Sequence, residues 1–209
     1  MDRQLRGRGI GDERVLAAME AVPRDLFVPE PIRERSYADA ALPIGSGQTI
    51  SQPWIVAAIC EALGLRGAGT VLEIGGGSGY SAAVLAQLCE RVISIERLAE
   101  LAAEAGRALG ELGLGPERVE VLVGDGSLGH PPAAPYEAIA VHAATPAPPR
   151  TLLGQLAPGG RLVAPVDRDG GEVLTAFVRD EATPELVHER RIAPCRFVPL
   201  LGAEGYAER

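Results

Sequence analysis

The sequence predicts an α/β fold: a mostly parallel, doubly wound sheet with a helical and loop addition before it and an antiparallel edge after it. Three observations carry this prediction. From residue 70 onward, apolar β-rich runs alternate with helical stretches at the spacing of repeated strand–helix units. The first of these, Thr70-Val-Leu-Glu-Ile-Gly-Gly-Gly-Ser-Gly-Tyr80, passes from a strand through a glycine cluster into a helix, the junction at which such a sheet meets a nucleotide-like ligand. Beyond Asp167-Arg-Asp-Gly-Gly171, two strand-like runs follow with no helix between them, which implies antiparallel pairing at one edge.

Taken in order, residues 12–22 form an amphipathic helical pattern with Asp12 as its N-cap. Pro23 and Pro29 in Val22-Pro-Arg-Asp-Leu-Phe-Val-Pro29 end that helix. Ser36 to Pro53 lacks periodicity, is rich in Gly, Ser, Pro and Thr, and reads as a loop; loops of this length in compact domains tend to be functional. Pro53 opens a helix running to about Leu63, with Ser51 placed as its N-cap. Strands are predicted at 70–75, 91–96, 118–123, 136–142 and 160–166, and helices at 79–89, 97–112 and about 149–156. Gly159-Gly160 makes the turn into the fifth strand, and Glu172–Arg179 and Glu185–Leu201 supply the antiparallel edge. One domain spanning 1–209 is expected: residues 1–64 as helices and functional loop, 65–166 as the ligand-binding core, and 167–209 as the antiparallel strands.

A chain of 209 residues with 46% hydrophobic content has material for one full core. Its net charge of −8 and pI near 5.0 argue against a nucleic-acid partner, which needs a basic face. The 20 basic residues are all Arg. Met1-Asp-Arg-Gln-Leu-Arg-Gly-Arg-Gly9 has no apolar signal core, and no apolar run reaches membrane-spanning length, so a soluble, cytoplasmic monomer away from membranes is expected. Cys60, Cys89 and Cys195 form no CxxC pair and are expected as reduced thiols; with His130, His142 and His188 scattered, no metal site is expected.

The glycine turn narrows the ligand. Gly75, Gly77 and Gly79 give GxGxG rather than the dinucleotide GxGxxG, and Tyr80 stands where the third glycine would allow close helix packing. Glu96, ending Arg91-Val-Ile-Ser-Ile-Glu, is placed for a ribose diol, which dinucleotides and adenosyl donors share. Glu73 discriminates, because a carboxylate beside the turn suits a sulfonium amino acid and repels a pyrophosphate. Gly124-Asp-Gly126 adds a second acidic turn at the same sheet edge. Together these favour S-adenosylmethionine over a nicotinamide dinucleotide.

Through most of its length the chain resembles the protein-L-isoaspartate O-methyltransferases. The resemblance rests on Val22–Pro29, Leu42-Pro-Ile-Gly-Ser-Gly-Gln-Thr-Ile-Ser-Gln-Pro53, Val71–Gly75 with Gly77-Ser-Gly-Tyr80, Gly124–Gly126, Gln155–Val163 and Phe197-Val-Pro-Leu200. It implies a class I, Rossmann-like methyltransferase fold and methyl transfer from S-adenosylmethionine to the α-carboxylate of L-isoaspartyl residues in damaged proteins. The ester then collapses to a succinimide that opens partly to aspartate. By the same resemblance Ser51 is the active-site residue. Gly75, Gly77, Ser78 and Gly79 of the turn, Glu96, Asp125 and Gly126 match the cofactor contacts, with Gln48, Thr49, Ile50 and Ser51 closing over the donor; Glu73 joins them on its charge, and His142 and Val198 are candidate substrate contacts.

Such a sparse site suits the chemistry, since a carboxylate is already ionised at neutral pH and needs no general base. The enzyme has mainly to hold an oxygen in line with the methyl group and exclude water. Ser51 serves equally as a plain N-cap by its position alone. The chain also departs from the family pattern. Gly76 stands where a threonine or serine is usual, His142 replaces threonine or glycine, and Asp167 replaces a glycine. His142, at the carboxyl end of a strand, reads either as a substrate contact or as a packing substitution. Two further readings stay open: methylation of ordinary aspartate in a dedicated biosynthetic peptide, and donor binding without turnover.

Overall fold

The computed structural model describes residues 2–207. Asp12 caps its helix as its chemistry predicts: the carboxylate accepts from the N–H groups of Arg14 and Val15, and α2 (Glu13–Ala21) follows, preceded by the short α1 (Asp2–Arg6). α2 buries Val15, Leu16, Ala18 and Met19 against the core. Pro23 and Pro29 each precede a short 3₁₀ segment, Arg24–Phe27 and Glu30–Arg35.

The stretch read as a loop contains an antiparallel hairpin, β1 (Leu42–Gly45) with β2 (Gln48–Ile50). Its strands are too short to establish an alternation, and Pro43 and Gly45 disguise the one there is: Leu42 and Ile44 are buried while Pro43 and Gly45 are exposed. α3 (Pro53–Leu63) starts with proline at its first position, as predicted. Its N-cap is Gln52, without a side-chain cap bond, so Ser51 is not the helix cap; it lies one residue outside the helix, free of that task.

Seven strands form the main sheet in the order β5-β4-β3-β6-β7-β8-β9. They are β3 (Thr70–Ile74), β4 (Arg91–Glu96), β5 (Val119–Val123), β6 (Tyr136–Val141), β7 (Leu156–Arg168), β8 (Gly171–Arg179) and β9 (Val187–Cys195). β5 through β7 run parallel, and β7-β8-β9 is an antiparallel meander, which places the predicted edge and fixes its order. β3 pairs with β4 on one side and β6 on the other, so the winding reverses at β3, and a ligand crevice opens at its carboxyl end. Residues alternate between the two faces: Val71, Val92, Ala138 and Val163 face one apolar cluster, with the N-terminal helices, while Leu72, Ile93, Ile139 and Leu162 face the other.

Three boundaries differ from the sequence pattern, each for a physical reason. α4 (Tyr80–Leu85) is shorter than the predicted 79–89; the chain continues through tight turns in which Gln87 and Leu88 N–H groups bond carbonyls three residues back, and Arg118 satisfies the carbonyls of Ala86, Cys89 and Glu90. α6 (Arg150–Leu153) stops early because Leu156 already pairs with Tyr136, and Ala157–Gly160 form the irregularity before regular pairing resumes at Arg161. β9 ends at Cys195 rather than 201. The next residues leave the sheet edge and return to β6, where Ala144 N–H donates to the Val198 carbonyl and Leu200 N–H to the Ala144 carbonyl, both at 2.8 Å. α5 (Ala99–Glu111) follows its amphipathic pattern.

Gly79 sets how closely α5 approaches the bend after β3. It has φ +87°, and a Cβ there would lie 3.0 Å from Ala105 Cβ. The close-packing role that a third glycine plays in dinucleotide folds therefore falls one residue before Tyr80. Gly79→Ala is expected to destabilise the chain by about 1–3 kcal/mol, seen as a lower urea midpoint at unchanged m-value.

Candidate active site

A cavity of ≈ 850 Å³, open to solvent, lies at the carboxyl end of β3 and β6. One wall is the glycine turn, Gly75–Ser78, and the next is the end of β4, Glu96 to Leu98. The β2 strand and Ser51 form the opposing wall, His142 and Ala143 the floor, and Val198–Leu201 the remaining side. These parts come from five separate stretches of sequence. The hairpin meets the turn through Ile44, whose methyl would lie 3.4 Å from a Cβ at Gly77. The C-terminal strip arrives through its bonds to Ala144.

Of the residues singled out in the sequence, Gln48, Thr49, Ile50, Ser51, Gly75, Gly77, Ser78, Glu96, Gly126, His142 and Val198 line this cavity. Glu96 accepts from Gly77 N–H and from Leu98 N–H, both at 2.9 Å, so it braces the turn while its remaining lone pairs face the cavity wall. Ser51 is half-buried, and its carbonyl accepts from Arg24 Nη2 at 2.8 Å.

Three of the expected contacts fall elsewhere. Gly79 is buried against α5. Asp125 caps the 3₁₀ turn Gly126–Leu128, accepting from Ser127 N–H and Oγ, and its other oxygen accepts from Ala203 N–H at 2.8 Å. It faces a small adjoining hollow with Arg97, Leu201, Gly202 and Tyr206. Glu73 is the larger correction. It is fully buried one layer behind the turn, because its register on β3 sends its side chain toward the helices, and it does not line the cavity.

Glu73 instead anchors a buried polar cluster. Its strand partner Ser94 donates Oγ–H to Glu73 Oε2 at 2.5 Å. His142, two residues beyond the other strand partner Ala140 and so on the same face, brings Nε2 to 3.4 Å from Glu73 Oε1 and to 2.8 Å from Ser81 Oγ. Burial raises the Glu73 carboxyl to about 7; the neighbouring Glu96 adds to this, and the hydroxyls of Ser94 and Ser81 oppose it. Burial lowers His142 to about 4, so its ring is neutral at physiological pH. Glu73 Oε1 and His142 Nδ1 have no hydrogen-bond partner. The sequence reading missed Ser81 and Ser94, which look like ordinary helix and strand residues until the fold sets them beside Glu73. It also missed Leu200 and Leu201, whose place on the cavity wall depends on the return of the chain after β9.

A profile of the protein-L-isoaspartate(D-aspartate) O-methyltransferases (PCMT) matches residues 1–205. The chain belongs to this family. The protein-L-isoaspartate O-methyltransferase 1 of Rhodopseudomonas palustris (strain HaA2) is 52% identical over 206 residues, covering 98% of this chain and 82% of that one. The protein-L-isoaspartate O-methyltransferase of Methanoculleus marisnigri is 50% identical over 203 residues, covering 97% and 90%. A solved protein-L-isoaspartate O-methyltransferase structure superposes with TM-score 0.81 at 28% identity, over 98% of this chain and 67% of that one. A PCMT structure from Plasmodium falciparum, in complex with S-adenosyl-L-homocysteine, shares the fold with TM-score 0.80 over 96% of both chains at 23% identity.

For this isoaspartyl methyltransferase family member, the departures at positions 76 and 142 are physically linked. A Cβ at Gly76 would lie 2.3 Å from Ser94 Oγ and 3.4 Å from Glu73 Oε2. The Ser94 hydroxyl occupies the space, and makes the bond to Glu73, that a hydroxyl on residue 76 would otherwise take. His142 closes the other side of the same carboxyl. Gly76→Ser alone is therefore expected to destabilise the chain by about 1–3 kcal/mol through overpacking, and Ser94→Ala alone by a similar amount through a lost buried bond. The double variant should be more stable than either single one, a coupling that a double-mutant cycle of urea unfolding measures.

The two titrating groups also predict opposed pH dependences. Glu73 is raised from 4.5, so its contribution is present below pH 4.5 and is lost as pH rises through 7. His142 is lowered from 6.5, so its contribution is present above pH 6.5 and is lost as pH falls through 4. Between these limits the slopes offset each other. In Glu73→Gln, stability should fall on acidification from pH 6.5 to 4; in His142→Asn, it should rise from pH 7 to 4.5. Each change should be on the order of 3 kcal/mol, followed by urea unfolding across pH.

Proposed function

We propose that this chain methylates the α-carboxylate of L-isoaspartyl residues in damaged proteins or peptides, with S-adenosylmethionine as donor, and so starts their conversion through a succinimide to aspartate. The observation that carries the reading is that one cavity is walled on one side by the glycine turn with Glu96 and on the other by Gln48–Ser51 and Val198. Donor and acceptor elements, separate in the sequence, share a single cavity. Family membership over residues 1–205 and relatives about half identical along nearly the whole chain support the same reaction.

The donor requirement fits the residues present. The turn places backbone where an amino-acid moiety and ribose need close approach, and Glu96 offers acceptor lone pairs to a diol. S-adenosylmethionine supplies an activated methyl on a sulfonium, with S-adenosylhomocysteine as the neutral leaving group. A carboxylate oxygen forms the new C–O bond as the C–S bond breaks, and no proton moves. The protein's part is orientation: Ser51 donates a hydrogen bond to the carboxylate oxygen that does not react, while the hairpin and the Val198–Leu201 strip exclude water. The reading further assigns residues 1–64 to acceptor binding and closure, 65–166 to the donor, and 167–209 to the edge that returns Val198 to the site, in one monomeric cytoplasmic domain that engages neither nucleic acid nor membrane.

The test is methyl transfer from labelled S-adenosylmethionine to matched isoaspartyl and aspartyl peptides. Strong preference for the isoaspartyl peptide is expected; preference for the aspartyl one, or no transfer, sinks the reading. Ser51→Ala should lower kcat by about 10²-fold, as for a lost orienting donor, with the dissociation constant of S-adenosylhomocysteine unchanged by calorimetry.

A further inference from the structure

Arg24 lies outside the cavity wall, yet both of its hydrogen bonds go to the segment that carries Ser51. Its side chain has no exposed surface. Nε donates to the carbonyl of Ser36 at 2.7 Å, and Nη2 donates to the carbonyl of Ser51 at 2.8 Å. Ser36 and Ser51 are the two ends of the segment that carries the β1–β2 hairpin, so one guanidinium fixes both ends. The planar fork makes this possible, since its donors diverge at set angles, which a lysine ammonium on a flexible stem does not reproduce. The guanidinium carbon lies 4.8 Å from the centroid of the Tyr80 ring, which itself lines the cavity and meets Phe27 edge-on. The contact ties the clamp to the first residue of α4, next to the donor turn.

The charge is the second observation. Among the described residues no carboxylate pairs with Arg24, and Nη1 has no hydrogen-bond partner. Asp39, the nearby acidic residue, is held by Arg8 at 2.5 Å. A buried cation is costly unless something compensates it, and proteins seldom keep one without an anion. Here two carbonyls and an aromatic face compensate only in part. The carboxylate of an acceptor, lodged against Ser51 on the other side of that residue's backbone, would complete the compensation.

Resting on the isoaspartyl reading above, we propose that Arg24 is the positioning residue of the acceptor site: it fixes Ser51 through its carbonyl and supplies the positive field that selects an anionic acceptor. The role is indirect, one layer behind the wall, and does not require contact with the reacting oxygen.

The experiment compares an isoaspartyl peptide with its isoasparaginyl counterpart, a neutral amide of nearly the same shape, as ligands of the S-adenosylhomocysteine complex. Affinities are measured by calorimetry for the unmodified chain, Arg24→Met and Arg24→Lys. The unmodified chain should favour the carboxylate peptide by about tenfold or more, a difference expected from one buried charge at this remove. Arg24→Met should bring that preference close to unity while binding S-adenosylhomocysteine within about threefold of the unmodified chain. Arg24→Lys should keep the preference but lose about tenfold in kcat, because the charge survives and the two-ended clamp does not. A preference unchanged in Arg24→Met, or equal loss of both peptides and of S-adenosylhomocysteine, overturns the proposal. If Arg24→Met does not fold, Arg24→Lys decides: loss of the preference, or undiminished kcat, overturns it. A chain that methylates no isoaspartyl peptide overturns the acceptor reading and this proposal with it, whereas preference surviving in Arg24→Met removes this proposal alone.

Discussion

The bend between β3 and α4 is the constraint on which the rest of the structure depends. The chain leaves a buried central strand and enters a buried helix within five residues, Gly75 to Gly79. The turn is held by the backbone: Gly75 N–H donates to the Ile95 carbonyl at 2.8 Å, Gly79 N–H to the Gly76 carbonyl at 2.9 Å, and Gly77 N–H to Glu96. Three elements then settle against it at distances that the missing side chains permit: α5 at Gly79, the β1–β2 hairpin at Gly77 and Ser94 at Gly76. The glycine turn and the hairpin that leads to Ser51 therefore share one reference point. An error in the bend would displace both, because the cavity is assembled around it from five separate stretches.

The same bend accounts for the buried polar cluster. A strand that ends at a sheet's reversal point has its last inward side chain under the turn, and in this chain that residue is Glu73. A buried carboxyl must be hydrogen-bonded or neutral; here Ser94 donates to one oxygen, His142 stands 3.4 Å from the other, and burial favours the protonated form. Gly76 and His142 are not independent oddities of this sequence. Both belong to the way this chain satisfies one buried acid, with a hydroxyl from β4 on one side and an imidazole beyond β6 on the other.

The fold was legible because its signals are local: the period of apolar residues, the glycine cluster and the proline positions report on the neighbouring backbone. The glycine turn, Glu96 and the Gln48–Ser51 segment, which line one cavity, were marked out by the same kind of local signal. Side-chain direction in the third dimension was not. Glu73 was read as facing the ligand because it adjoins the turn in sequence, yet strand register turns it away. Ser51 was read as a helix cap, yet Gln52 takes that position. Asp125 was read as a donor contact, yet its carboxylate holds the C-terminal backbone at Ala203. Arg24 sat inside a recognised segment with no assigned task, since its value lies in joining Ser36 to Ser51, and sequence spacing does not reveal that junction.

Of the charged groups around the cavity, Glu96 and Arg97 line it, whereas Arg24 and Glu73 are buried behind it. Methyl transfer joins a cationic donor to an anionic acceptor and leaves two neutral products, so charge disappears along the reaction path. Close ion pairs with either reactant would stabilise the ground state more than the transition state and would raise the barrier. Arg24 holds the carbonyl of Ser51 from behind one wall, and Glu73, its carboxyl raised by burial, lies beneath the glycine turn. On the reading proposed above, buried charges would attract a charged reactant and lose that attraction as the neutral products form, while the neutral hydroxyl of Ser51 would be the group that meets the acceptor.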